Sequence, residues 1–176
     1  MTCNLQGKLT HCASVRSSVI LIALIAIFAG VTVSPAAAGT NAVADTTLMR
    51  QLASELNLVR RDAGLPGLRY SQGLALAAAA RAEALAAQGW ADKPLAGTAL
   101  RRKVSSYYGQ GATSWRVGET VLWADGKICG SAVVYFWLDK LRDKTTVMSS
   151  RWAEAGIAAV RSGGDTFVVV EFGSRT

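Results

Sequence analysis

The sequence predicts an α+β fold, an α-β-α sandwich in which helices cover a small, mainly antiparallel sheet that closes with a C-terminal hairpin. Three observations carry this prediction. Apolar residues recur at helical spacing over 46–63, 71–88 and 131–142. Two apolar runs, 155–160 and 167–172, flank Gly163-Gly164, which is the composition of a tight hairpin turn. The 176 residues are 51% hydrophobic and 18% charged with a mean hydropathy of +0.25, too apolar for disorder and sufficient for one packed core.

The first 38 residues read as a secretion signal. Lys8 and Arg16 precede an apolar run from Val19 to Val33 that ends in the small-residue exit Ala36-Ala37-Ala38. A membrane span needs roughly 20 apolar residues, so this run predicts export with cleavage after Ala38, the alternative being an anchor kept at the N-terminus. A short tail over 39–45 then leads into a domain over 46–176. Removal of the signal takes away His11, Cys3 and Cys12, and Cys129 is the cysteine that remains. The exported chain therefore offers no Cys/His zinc cluster and no Ser-His or Cys-His catalysis, and no cofactor is expected. Loss of Lys8 and Arg16 lowers the net charge from +7 to +5, so the basic character belongs to the domain.

Within the domain, Leu48, Leu52, Leu56, Val59 and Ala63 mark a first helix that Gly64 stops and Pro66 keeps from resuming. Leu68 to Tyr70 reads as a short extended piece, and Ser71 as the N-cap of an alanine-rich helix that Gly89 ends. In that helix Leu74, Ala78, Ala82 and Leu85 share a face whose small side chains invite close packing. A third short helix fits Thr98 to Tyr108, followed by a glycine-containing loop to Ser114. Val117-Gly118-Glu119-Thr120-Val121-Leu122-Trp123 places Glu119 at the edge of the core. One helix is expected over Ser131 to Arg142, with Val133, Phe136, Trp137 and Leu141 on adjacent turns.

These segments, in this order, resemble the CAP superfamily of cysteine-rich secretory proteins, venom antigens and plant pathogenesis-related proteins, in its short bacterial form. The resemblance rests on Asn57-Leu58-Val59-Arg60 running into Gly64-Leu65-Pro66-Gly67-Leu68-Arg69-Tyr70 and on the Ala-rich helix ending in Gly89-Trp90. It also rests on Gly118-Glu119-Thr120, on Trp137, on Trp152-Ala153-Glu154-Ala155-Gly156-Ile157 and on the closing run Phe167 to Gly173. Many members carry a cleft of two histidines and two acidic residues, sometimes with a divalent metal. By resemblance, Lys93 and Asp143 stand near the two histidine positions, the second acidic position falls near Ser131 or Ala132, and Glu119 alone is kept. One Glu and one Asp beside a Lys do not make up the three or four ligands of a zinc site, so no metal is expected.

Cleft residues are therefore Glu119, Lys93 and Asp143, with Lys93 either paired to one of the acids or solvated. Glu119 has two readings, a general base with a raised pKa or a carboxylate that accepts backbone N–H groups and fixes its loop. Glu154 and Glu171 read as strand-surface or tethering residues. Of the five tryptophans, Trp137 and Trp152 read as core, while Trp90, Trp115 and Trp123 border loops and are candidates to line a lipid groove. Arg60-Arg61 and Arg101-Arg102-Lys103 read either as solvated helix faces or as contacts for anionic lipid or cell-wall polymer. No zinc module or aromatic-interleaved basic strand points to nucleic acid. The expected role is a non-catalytic binding or interaction module, secreted or on the outer face of the envelope. Its candidate partners are a lipid, an envelope component or a protein, and membrane attachment would come only through a retained signal. The alternatives are a lipid or sterol-type carrier and a hydrolase using Glu119.

Overall fold

The computed structural model describes residues 42–88 and 94–176, so the expected signal, the Gly89 helix stop, Trp90 and Lys93 lie outside the described residues. Chain order sets the fold through β1 (Val43–Ala44), α1 (Thr46–Asp62), β2 (Arg69–Tyr70), α2 (Gln72–Gln88), α3 (Gly97–Val104) and β3 (Trp115–Asp125). It continues through α4 (Gly130–Asp139), α5 (Leu141–Val147), β4 (Glu154–Ser162) and β5 (Asp165–Arg175). The strands form one sheet in the order β1-β4-β5-β3, with β2 pairing parallel to β4 along the edge that β1 also uses. The other pairings are antiparallel.

Asp45 caps α1 by accepting a bond from the Leu48 N–H at 3.0 Å. Leu48, Leu52 and Leu56 are buried in the spacing the sequence predicts, and each such leucine contributes roughly 1.5–3 kcal/mol through its removal from water. They meet Val133 and Trp137 of α4 over one face of the sheet, where Leu122, Val168, Val170 and Phe172 complete the core. The opposite face carries Val121, Phe167, Val169 and Val160 against Ala78, Ala82 and Leu85 of α2. Alanine is required there by distance, and Gly156 is required too. A Cβ on Gly156 would stand 2.0 Å from the Ala75 nitrogen, so the backbones of α2 and β4 are in direct contact.

The hairpin forms as the sequence predicts, with Gly163 and Gly164 both at positive φ, +61° and +98°. The helix expected over Ser131 to Arg142 is instead two. Lys140 is extended, at φ −98° and ψ 116°, and separates α4 from α5. On an unbroken helix Asp143 would lie roughly 120° around from Trp137, turned away from the core, and Val147 roughly 80° around, at the flank of the buried face. The break turns both to the core, and both are buried.

Arg60 also departs from its expected place on a solvated basic face. It is 0% exposed, and its guanidinium donates to the carbonyls of Pro66 at 3.1 Å, Val147 at 2.6 Å, Ser149 at 3.0 Å and Trp152 at 3.5 Å. Burial lowers its pKa. Arg61 beside it is exposed. Asn57 works one turn earlier, accepting from the Leu68 N–H at 2.6 Å and donating to the Leu68 carbonyl at 3.2 Å. The Asn-x-x-Arg pattern thus fastens α1 to β2, α5 and the approach to β4. Among the described residues no helix is long and apolar enough to cross a membrane.

Candidate functional site

Glu119 lies in the middle of β3 and is 4% exposed, inside the core rather than at its edge. Alternation along β3 turns odd-numbered residues toward α2, so its carboxylate faces that helix, as does Val121. The β3–β5 register sets Glu171 directly opposite. Glu171 is 1% exposed, which corrects its reading as a surface or tethering residue. From α2, the Arg81 Nε donates to Glu119 Oε2 at 3.3 Å, and the Leu95 N–H donates to Oε1.

Two buried carboxyl groups side by side cannot both ionise cheaply. Burial raises the Glu119 pKa, and the Leu95 N–H, Arg81 and a bond from Glu171 pull it back. Glu171 is pushed well above the usual carboxylate range, by burial first and then by the charge of Glu119 and the hydrogen bond between them. Of the two, Glu171 is the carboxyl group whose protonated form the site favours more, facing the Glu119 carboxylate. These groups form one wall of a cavity of about 220 Å³ lined also by Ala77, Lys103, Val104, Ser106 and Tyr107.

This arrangement does not suit a metal. The Arg81 guanidinium, 3.3 Å from Glu119 Oε2, already supplies a positive charge to the carboxyl pair. Among the described residues no group of three or more His, Cys, Asp and Glu side chains is placed to hold one. The Glu119 oxygens already accept from Arg81 and the Leu95 N–H within the fold.

Asp143 is not brought to this cavity. It is buried on α5, on the sheet face opposite the Glu119 carboxylate, where burial raises its pKa against the pull of Arg142 and Lys140. Its ion pair is with Arg142, at 3.7 Å. Trp115 packs edge-on to Tyr108 with centroids 6.1 Å apart and carries the Arg101 guanidinium 4.4 Å above its ring. Trp123 is 43% exposed near the end of β3. Neither tryptophan lines a described cavity. Trp137 and Trp152 are core, with Trp152 stacked on Phe172. Glu154 is also buried and holds Arg69 at 3.3 Å and Arg175 at 3.5 Å, tying β2 and β5 to β4.

A larger groove of about 610 Å³ runs along the open edge of β4 between α1 and α2. The chain path dictates its shape. Asp45 bonds to the Ala159 carbonyl, so α1 starts at the β1 end of the edge, while Ser71 bonds to the Ala155 carbonyl, so α2 starts at the β2 end. The helices run in opposite directions on opposite faces of the sheet, and the two short strands leave a window between them. Ala53, Leu56 and Met49 form one wall, Ala75, Leu76 and Ala79 the other, and Ile157 with Ala158 the back. From Thr46 to Asn57 the groove follows α1 for about 16 Å. Arg50, Arg69, Tyr70, Gln72 and Glu83 supply its polar rim.

Arg81 and this groove are absent from the sequence reading, and Glu171 enters it only as a surface or tethering residue. Arg81 alone had a visible signal. It sits four residues from Ala77 and Leu85, on the buried stripe of an alanine helix, where a charge needs a partner.

The model of the Cysteine-rich secretory protein family, CAP, matches residues 53–172. No curated protein matches the sequence. Among solved structures, an outer surface protein from Borrelia burgdorferi is similar with a TM-score of 0.64 at 21% identity, covering 78% of this chain and 99% of its own. An extracellular protein containing an SCP domain from Bacillus anthracis gives 0.56 at 20% identity, over 70% of this chain and 39% of its own. A cysteine-rich secretory protein from Staphylococcus aureus gives 0.54 at 17% identity, over 71% and 38%. The chain thus spans well under half of the latter two proteins, and at these identities the likeness is one of fold.

Proposed function

We propose that this chain, which belongs to the cysteine-rich secretory protein (CAP) family, works outside the cytoplasm as a non-catalytic binding module whose ligand site is the groove between α1 and α2. One observation carries the reading. The carboxylate that chemistry would use is engaged by the chain's own donors, whereas the larger cavity is an apolar groove of about 610 Å³, within the size range of small-molecule sites. Two exposed apolar side chains, Tyr70 at 76% and Leu76 at 52%, lie at the groove and would be covered by an occupant. Export rests on residues 1–38, and the apolar walls favour lipids among the candidate partners. A hydrolase using Glu119 would have to work through a carboxylate that already accepts from Arg81 and the Leu95 N–H, and that reading stands second.

Filling the groove tests the proposal. Ala53→Trp and Ala79→Trp each place an indole into a wall. The apolar fluorophore N-phenyl-1-naphthylamine is expected to bind the unsubstituted chain saturably, at one per chain. Each variant should bind at least about tenfold more weakly while retaining its circular dichroism, a loss of about 1.4 kcal/mol. Undiminished binding by both folded variants would remove the groove as the site.

A further inference from the structure

We infer that the groove selects a single-chain acyl amide, held by the main chain of Ile157; this rests on the groove being the ligand site. Residues of a strand point their N–H and C=O alternately to its two sides. On β4, the Ala155 carbonyl accepts from the Ser71 N–H and the Ala159 carbonyl from the Asp45 N–H, so both face the outer edge. The unbroken β4–β5 register makes Ile157, midway between them, face the same way. β2 pairs only as far as Ala155, and β1 begins at Val160. Among the described residues nothing pairs with the outward N–H and C=O of Ile157, and the residue lines the groove. It is also the one residue from Glu154 to Val160 that is not buried.

The occupant must therefore be apolar over most of its length and still supply one donor and one acceptor at mid-groove. A plain hydrocarbon would seal both main-chain groups from water without replacing their bonds. A carboxylate accepts from the N–H but sets its charge against the carbonyl. An extended peptide lying along β4 is blocked, because β2 and β1 already occupy the edge on either side and leave one residue to pair. A secondary amide carries both a donor and an acceptor, and its acyl chain suits walls of Ala53, Met49, Leu76 and Ala79.

Isoleucine labelling reads this directly, since Ile128 and Ile157 are the isoleucines of residues 42–176. With [15N]isoleucine in the exported chain, N-methyldodecanamide is expected to shift the Ile157 amide signal, slow its exchange with solvent and leave Ile128 in place. It should displace N-phenyl-1-naphthylamine at a concentration at least about tenfold lower than dodecanoate does. Displacement by dodecanoate at an equal or lower concentration, or displacement by the amide with Ile157 unmoved, overturns the amide assignment while leaving the groove as the site. Failure of N-phenyl-1-naphthylamine itself to bind overturns both.

Discussion

Glu171→Gln is expected to abolish most of a stability loss that the unsubstituted chain shows as pH rises above about 4.5. In the unfolded chain Glu119 and Glu171 ionise near their ordinary value of 4.5, whereas in the fold both are raised, Glu171 well above it. The folded chain thus holds a proton that the unfolded chain has released. Stability from this source is complete below about 4.5 and falls as pH climbs toward the raised value of Glu171. The slope reaches about 1.4 kcal/mol per pH unit for one proton. Glutamine keeps a donor toward Glu119 and cannot ionise, so urea unfolding from pH 4 to 8 should give a flatter profile for the variant. Parallel profiles would show that Glu171 holds no buried proton. Glu119→Ala removes the partner of Arg81, whose side chain is only 11% exposed, and should cost about 3–5 kcal/mol.

Arg60→Met should be as damaging, at about 3–5 kcal/mol, because methionine fills the space and leaves four carbonyls without their donor. Arg61→Ala, one residue away and exposed, should change stability by no more than about 0.5 kcal/mol. Chemical denaturation of the two variants side by side separates a structural arginine from a surface one. Equal, small effects would mean that the carbonyls at Pro66, Val147, Ser149 and Trp152 find water instead.

Local pattern carried the parts of the fold that depend on one segment at a time. The Leu48, Leu52, Leu56 stripe, the small-residue face of α2 and the Gly163-Gly164 turn each follow from spacing and backbone freedom within a few residues. The misreadings share a cause, which is pairing between distant segments. Lys140 breaks a helix because α4 and α5 must each meet the same sheet, and neither segment alone records that demand. Arg60 looks like Arg61 until the carbonyls 87 and 89 residues away are brought to it. Glu119 was identifiable from its apolar flanks, yet its chemistry depends on Glu171, placed opposite by strand register, and on Arg81 across the layer. Trp115 and Trp123 were singled out by size and loop proximity. The groove instead uses alanines, because a cavity arises where side chains are small and strands stop short.

Native mass spectrometry of the exported chain, released without detergent from the envelope fraction of cells that produce it, tests the binding role most directly. A single lipid-sized adduct at one per chain, lost in Ala53→Trp, is the expected spectrum. A ligand-free chain that takes up no single-chain lipid of any head group when these are added would contradict the account.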